Sequence, residues 1–158
     1  MELKLLLTML PAFQTATATH VDALTQAMKV SQYPAGHKFI VQGEQGEAMY
    51  LLLEGAVQVT RVDDMTGQPP ETRELRAGET FGLLSLIDHM PASATCAALE
   101  PVTAAALARP AFENLFTSAP PIGHHLHYMV AIQLARDLQE RNKGLRALLQ
   151  QRAARAQA

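Results

Sequence analysis

Two short segments of the chain combine residue types that suit the binding of a negatively charged or polar ligand. The first begins with a Phe-Gly pair before an apolar helical run, and the second follows a proline; their residues are Phe81, Gly82, Leu83, Leu84 and Ser85, then Ala92, Ser93 and Ala94. Free N–H groups in the first turn of a helix attract anions, and the Ser93 hydroxyl adds a hydrogen-bond donor. The backbone N–H groups after Gly82 and the Ser93 hydroxyl therefore give these segments some capacity to bind an anion.

Arg73 and Arg76 lie on a predicted strand shortly before these segments. Either they supply positive charge to the ligand site, or they form surface ion pairs with Glu71, Glu74 and Glu79. We expect the ion pairs, because oppositely charged neighbours on a sheet commonly face one another in solvent.

Few residues in the sequence have the type and spacing that metal binding or catalysis requires. His124, His125 and His127 cluster at the start of the last helix, but a zinc site needs further ligands, and none has suitable spacing. The strand region holds His37, with His89 in the loop after the apolar run, and has no His-x-His pair. We predict surface or interface histidines, no metal site and no enzymatic activity.

The composition indicates one domain with a full-sized core, since 48% of the 158 residues are hydrophobic. The lone cysteine, Cys96, excludes an internal disulfide and is predicted to be a buried strand residue. Residues 1–120 hold 7 Lys/Arg and 13 Asp/Glu (net −6), whereas residues 121–158 hold 6 and 2 (net +4). The acidic body argues against a broad nucleic-acid surface. Without an apolar segment of about 20 residues, we expect a cytoplasmic protein that does not enter the membrane.

The elements that must position the binding segments are helical at both ends of the chain and β-type between them. Apolar residues recur at helical spacing over residues 2–10 and 19–30, with Thr19 as the expected N-cap. Short alternating runs with glycine turns then predict a sandwich or barrel, with strands at 37–41, 48–53, 57–62, 72–75, 92–99 and 102–108. We expect the second and third of these strands to form a hairpin. Helical periodicity returns over residues 109–118.

A long helix is predicted from residue 122 to about residue 149. Five apolar residues follow heptad a and d spacing, with Arg141 interrupting one d position: Ala131, Leu134, Leu138, Leu145 and Leu148. This pattern favours a homodimer through helix 122–149 over packing against its own β-rich body alone. The basic residues of the tail then form a solvated face or contact an acidic partner. We divide the chain into residues 1–120, the β-rich body with N-terminal helices, and residues 121–158, a dimerisation element of the same domain.

The ordered series of turns resembles the cyclic nucleotide-binding domain family. The matching motifs are Tyr-Pro-Ala-Gly at 33–36, Gln-Gly-Glu at 42–44, Leu-Glu-Gly at 53–55, Gly-Glu at 78–79, Phe-Gly at 81–82 and Pro-Ala-Ser-Ala-Thr at 91–95. The resemblance covers about residues 6–145. It implies an α+β fold, a double-stranded β-helix (a jelly-roll-like β-roll) flanked by N-terminal helices and a long C-terminal helix. The layout is similar to the effector half of bacterial catabolite activator proteins.

The resemblance implies that residues 81–85 and 92–94 form the ligand-binding part of the family's phosphate-binding cassette, and it assigns roles to individual positions there. The family's Glu, which holds the ribose hydroxyl, falls on Leu83, and the family's Arg, which pairs with the cyclic phosphate, falls on Ala92. In the family, the start of the long helix lies near the base end of the pocket, so His127 and Tyr128 are the expected lining there.

With both charged contacts replaced, the resemblance implies a non-catalytic signalling module that acts through a partner protein or an atypical ligand. The alternative is a genuine cyclic AMP or cyclic GMP receptor domain with an unusual pocket and weak nucleotide binding. No cofactor is assigned beyond that alternative. Residues 1–158 do not contain the helix-turn-helix that follows the long helix in bacterial regulators, so we expect no direct DNA binding by this segment.

Overall fold

The computed structural model describes residues 2–157 as helices packed around two small antiparallel sheets. The helices are α1 (Leu3–Met9), a 3-10 turn (Pro11–Phe13), α2 (Ala18–Ala27), α3 (Leu83–Asp88), α4 (Arg109–Ser118) and α5 (Pro120–Ala156). The strands are β1 (Lys29–Tyr33), β2 (Lys38–Ile40), β3 (Ala48–Glu54), β4 (Val57–Arg61), β5 (Glu71–Leu75), β6 (Thr80–Phe81), β7 (Thr95–Ala98) and β8 (Val102–Ala108). The predicted α+β fold with a β-roll is therefore confirmed.

The eight strands of the β-roll divide equally between two sheets. One sheet has the order β1-β8-β3-β6 and the other β2-β7-β4-β5. The predicted hairpin between β3 and β4 is wrong: β3 pairs with β6 and β8, whereas β4 pairs with β5 and β7. The chain changes sheets at Gly55, which has φ +88° and lies so close to Pro101 that a Cβ atom would be 2.8 Å from the Pro101 carbonyl oxygen. A glycine turn between two strands can form a hairpin or carry the chain from one sheet to the other. The packing of the two sheets decides between these arrangements.

The second helix is shorter than its apolar periodicity predicted. Helix α2 ends at Ala27, and the predicted helical residues 29 and 30 instead begin β1. Strand β1 pairs along its whole length with β8, and this pairing overrides a local helical preference. The N-cap is Thr17 rather than Thr19, because the Thr17 side chain accepts a hydrogen bond from the His20 N–H at 3.3 Å.

Two apolar clusters hold the fold together. One lies between the two sheets and includes Leu52, Val57 and Phe81. The other joins the N-terminal helices, α3, α4 and the beginning of α5 to one sheet, and Ile122 and Leu126 are completely buried in it. The first turns of α5 therefore belong to the core of the β-rich body.

The rest of α5 leaves this core. The helix runs to Ala156, seven residues beyond its predicted end at 149, and the residues after 130 are exposed or half-buried. Within residues 2–157, no helix combines the length and the apolar character that spanning a bilayer requires.

Candidate functional site

The predicted binding segments fold as one continuous cassette, which we define as residues 81–94. Strand β6 leads into α3 through Gly82, whose backbone has φ +83°. A Cβ atom at Gly82 would lie 2.6 Å from the Ala48 carbonyl oxygen and 2.8 Å from Ile40 Cδ1. Only glycine fits both this backbone conformation and this close approach, so Gly82 determines where α3 begins relative to β3.

The aromatic residue before Gly82 anchors the cassette to the interior of the β-roll. The ring of Phe81 stacks on Tyr50 at a centroid distance of 5.1 Å and meets Phe39 edge to face at 5.3 Å. Burial raises the pKa of Tyr50, and the neighbouring Tyr33 raises it further. The cassette therefore begins from a rigid, apolar attachment.

All eight predicted cassette residues line a single large cavity. Its volume is about 920 Å³, and it lies between the cassette, the sheet that contains β4, β5 and β7, and the middle of α5. Residues of β5 and of α5, including Arg73, Leu75, Asp137 and Arg141, complete its walls. The sequence alone identified the cassette side of this cavity and missed the α5 side.

Leu83 and Ala92 are buried where the cassette meets the core. Leu83 is 3% exposed and Ala92 is 7% exposed. The Ala92 backbone is fixed on both sides, since its N–H donates to the Glu44 carbonyl oxygen and its carbonyl oxygen accepts from the Gly43 N–H, each at 2.8 Å. An isobutyl and a methyl group offer no hydrogen bond. The polar side chains of the cassette wall are therefore Ser85, Ser93 and Asp88.

Arg73 stands at the cavity wall but is already bound to two carboxylates. Its Nη2 donates to Glu79 Oε1 and its Nη1 donates to Asp137 Oδ1, each at 2.9 Å. Glu79 is oriented in turn, because its Oε2 accepts from the Arg76 backbone N–H at 2.7 Å. The Arg76 side chain pairs with Glu74. Two of the expected ion pairs, with Glu79 and Glu74, are present. Glu71 instead lies beside Arg141, and Asp137 on α5 is an additional partner of Arg73 that sequence spacing could not reveal.

His127 and Tyr128 do not line the cassette cavity, contrary to the expected base-end lining. His127 lies against the Phe116 ring, 5.3 Å between centroids, in a separate cavity of about 240 Å³ behind α3. Tyr128 is 55% exposed. The burial of Ile122 and Leu126 fixes the rotation of α5, and α5 reaches the cassette cavity only from Val130 onward.

His125 and Cys96 occupy structural positions within the fold. His125 Nδ1 lies 2.8 Å from the Ala12 carbonyl oxygen, so this ring joins α5 to the N-terminal helices. Between residues 2 and 157, no group of three or more His, Cys, Asp or Glu side chains could hold a metal ion. Cys96 is a buried strand residue, as predicted, and burial raises its pKa to about 12.

Comparison with known proteins agrees with this geometry. A family model described as the cyclic nucleotide-binding domain matches residues 30–119, which is more than half of the chain. The chain belongs to the cyclic nucleotide-binding domain family. The β-roll, the cassette and α4 of this cyclic nucleotide-binding domain all fall within or at the edge of the matched residues.

The relatives of this cyclic nucleotide-binding domain are named as receptors and regulators. The chain is 32% identical over 124 residues to a cyclic AMP receptor protein of Thermus thermophilus, covering 78% of this chain and 57% of that protein. It is 36% identical over 92 residues to a cAMP-dependent protein kinase regulatory subunit of Candida albicans, covering 58% of this chain and 19% of that protein. A crystal structure of the Thermus thermophilus catabolite activator protein superposes with a TM-score of 0.70 and 31% identity, covering 88% of this chain and 63% of that chain.

The chain therefore spans a little over half of the length of the bacterial regulator it resembles. At the level of the family, the relatives are regulatory proteins rather than enzymes.

Proposed function

We propose that this domain is a non-catalytic regulatory module that acts through a partner protein or an atypical ligand rather than through ordinary cyclic nucleotide binding. The observation that carries the proposal is the presence of Leu83 and Ala92, both apolar and buried, at the two cassette positions that hold a Glu and an Arg in the family. Neither side chain offers a charge or a hydrogen bond to a sugar-phosphate.

The energetic consequence of these two residues is large. A cyclic phosphate carries a negative charge that a guanidinium can bind through two hydrogen bonds. Hydrogen bonds to charged groups contribute about 1.5–3 kcal/mol each. Losing both the phosphate contact and the ribose contact therefore lowers the affinity by about 10²–10⁴-fold.

Two of the three arginines that line the cavity support the same proposal. Arg73 is bound to Glu79 and Asp137, and Arg141 lies 3.9 Å from Glu71. A phosphate would have to displace these carboxylates before it could use either guanidinium. An atypical ligand for this cavity is therefore mainly apolar and uses the Ser85 and Ser93 hydroxyls, with Arg61 as the remaining guanidinium on the cavity wall.

A homodimer through helix 122–149 fits the exposed leucines of α5. Leu134, Leu138, Leu145 and Leu148 are 47–60% exposed in the single chain, and their heptad spacing suits a two-stranded pairing. Pairing would leave the β-roll free to contact a protein partner. Such a dimer requires neither direct DNA binding by residues 1–158 nor a membrane, and it suits a cytoplasmic setting.

The proposal is tested by isothermal titration calorimetry with cyclic AMP and cyclic GMP. We expect no saturable binding of either nucleotide at about micromolar concentration, and an increase in affinity of about 10–100-fold for Ala92→Arg, which restores one charge-assisted contact. The matched control is Ala94→Arg, which places the same charge two residues along the cassette and should not improve binding. Wild-type protein that binds either nucleotide at low micromolar concentration would overturn the proposal.

The alternative function is a genuine cyclic AMP or cyclic GMP receptor with an unusual pocket. Arg61 lines the same cavity as Ser85 and Ser93, and a guanidinium there could replace the lost cassette charge. Under this alternative, wild-type protein binds the nucleotide, and Arg61→Gln weakens the binding whereas Arg76→Gln does not.

A further inference from the structure

The floor of the cassette cavity changes from apolar to charged along β4. Alternate residues of a strand lie on the same face of a sheet, so Val57, Val59 and Arg61 share one face. Val57 is fully buried, Val59 is half-buried and Arg61 is exposed, and the latter two line the cavity. The cavity therefore has an apolar end within the β-roll and a guanidinium at its outer end.

The strands on either side of β4 extend the apolar end of the cavity. Leu75 of β5 and Cys96 of β7 are buried, and both line the cavity. Cys96 is directly opposite Val59 in the register of β4 and β7. Among the described residues of the lining, Phe81 is the only aromatic one. The walls are therefore mainly aliphatic, and they suit a hydrocarbon chain better than a flat, polar base.

The outer walls of the cavity carry apolar side chains that are exposed to water. Leu84 and Met90 belong to the cassette wall, and Leu134 and Leu148 belong to the α5 wall. Removal of apolar surface from water favours binding. A ligand with a hydrocarbon chain would therefore gain contacts along the outer walls as well as at the buried end.

Arg61 differs from the other two arginines of the lining because it has no carboxylate partner. In the part of the chain that the structure describes, the Arg61 guanidinium makes no ion pair or hydrogen bond, whereas Arg73 and Arg141 both have carboxylate neighbours. Glu71 is opposite Arg61 across β4 and β5, but its ion contact is with Arg141. A guanidinium can donate two parallel hydrogen bonds to a carboxylate. Arg61 is therefore free to bind an acidic head group.

The carboxylates that line the cavity are less suited to hold a cationic head group. Asp88 Oδ1 accepts from the Met90 N–H at 2.9 Å, and Asp137 is bound to Arg73. Glu140 is on α5 and not on the strand that forms the apolar floor. The charge next to the apolar floor is that of Arg61, so we expect an anionic head group.

We propose that the cavity binds an aliphatic monocarboxylate of fatty-acid type, with its carboxylate on Arg61 and its hydrocarbon chain along Val59, Leu75 and Cys96. This inference rests on the proposed function, because it names the chemical class of the atypical ligand. The cavity volume of about 920 Å³ lies within the range of about 300–1,000 Å³ that is usual for small-molecule sites. Methylene groups need no hydrogen-bond partner, which suits the apolar side chain of Leu83.

The inference is tested by isothermal titration calorimetry with decanoate, octanoate, decanol and decylammonium, each below the concentration at which it forms micelles. We expect saturable binding of decanoate. Octanoate should bind about 10-fold more weakly, because it buries two fewer methylene groups. Decanol should also bind about 10-fold more weakly than decanoate, because it lacks the charge-assisted contact with Arg61, and decylammonium should bind more weakly still.

Variants at the two ends of the ligand separate the head-group contact from the chain contacts. Arg61→Gln should lower the decanoate affinity about 10-fold, to that of decanol, and leave decanol binding unchanged. Arg61→Lys keeps the charge and should retain most of the affinity. Arg76→Gln, which removes an arginine outside the cavity lining, is the control. Leu84→Gln should weaken the binding of both decanoate and decanol, whereas Leu5→Gln, at an exposed leucine of α1 outside the lining, should weaken neither.

Equal affinities for decanoate and decanol, tighter binding of decylammonium than of decanoate, or the absence of saturable decanoate binding would overturn the inference. Decanoate binding that Arg61→Gln leaves unchanged would do the same. The two proposals fail separately. A protein that binds neither decanoate nor a cyclic nucleotide would contradict this inference alone and leave a module that acts through a partner protein, whereas low-micromolar binding of a cyclic nucleotide would overturn the proposed function itself.

Discussion

Gly82 shows how a single residue positions the cassette. Its φ of +83° and the 2.6 Å distance from its Cβ position to the Ala48 carbonyl oxygen are two separate demands for glycine. Gly36 has nearly the same conformation, with φ +81°, but beyond its chain neighbours no atom lies within 4 Å of its Cβ position. Comparing the two glycines therefore distinguishes the need for a left-handed backbone, which both share, from the need for close packing, which only Gly82 has.

Gly36→Ala and Gly82→Ala should destabilise the domain to different extents. Both variants require a left-handed backbone, which costs about 1–2 kcal/mol, and Gly82→Ala adds an overpacking cost of about 1–3 kcal/mol. Urea unfolding followed by circular dichroism measures the difference in unfolding free energy. Equal losses for the two variants would contradict the close approach at Gly82.

Cys96 makes the stability of the domain sensitive to alkaline pH. Its pKa is raised from 9.0 to about 12 by burial, so the unfolded thiol ionises at a pH where the folded thiol is still protonated. The unfolded state then binds fewer protons, and the unfolding free energy falls between about pH 9 and pH 12, by at most about 1.4 kcal/mol per pH unit. Cys96→Ala should remove this slope while the tyrosine contribution remains. If the unfolding free energies of wild type and Cys96→Ala fell equally steeply over this pH range, ionisation of the buried thiol would not be the cause of the slope.

At the scale of elements, α5 is held over the cavity by few polar contacts. The Arg73–Asp137 pair joins β5 to the middle of α5, and the longer Arg141–Glu71 contact lies one turn further along. The apolar residues of α5 around these pairs are partly exposed. The attachment of this part of α5 therefore depends on charge more than on buried area.

A double-mutant cycle with Arg73→Gln and Asp137→Asn should give a coupling energy of about 0.2–1 kcal/mol, the usual value for a solvent-exposed pair. The coupling should decrease in about 1 M salt, where the Debye length is near 3 Å. Hydrogen exchange of residues 130–145 should rise in either single variant. The Arg76–Glu74 pair is the matched control, because breaking it should leave exchange in α5 unchanged. Zero coupling between Arg73 and Asp137 would rule out this attachment.

At the scale of the whole molecule, leucines of α5 that line the cassette cavity also belong to the predicted dimer seam. Leu134, Leu145 and Leu148 line the cassette cavity, and the same residues belong to the heptad seam predicted for a second copy. Leu138 belongs to the seam but does not line the cavity. Substitutions at Leu138 therefore test pairing with the least disturbance of the cavity.

The wild-type domain should have a solution mass of twice the 17.2 kDa chain mass. Leu138→Glu should reduce it to that of a single chain, because a charge at an apolar seam position must be desolvated on pairing. Light scattering coupled to size-exclusion chromatography measures the mass, and Gln139→Glu introduces the same charge beside the seam as a control. A monomeric wild-type protein at high micromolar concentration would exclude this dimer.

Local sequence patterns were sufficient for the features that depend on neighbouring residues. Strand β8 and helix α4 have the predicted bounds, and the Phe-Gly step places α3 correctly. These features follow from alternation, helical periodicity and glycine conformation, all of which act within a few residues. The family resemblance rests on the same local turns, which explains why it could be recognised from the chain alone.

The tertiary structure decided every feature that joins distant residues. It separated β3 from β4, turned residues 29 and 30 into strand by pairing them with β8, and rotated α5 so that Asp137 rather than His127 faces the cavity. The contacts of Arg109 with Gly46 and Ser85 likewise join residues that are distant in sequence. Local spacing carries no information about which strand pairs with which or how a helix is rotated, because those choices minimise the free energy of the packed whole.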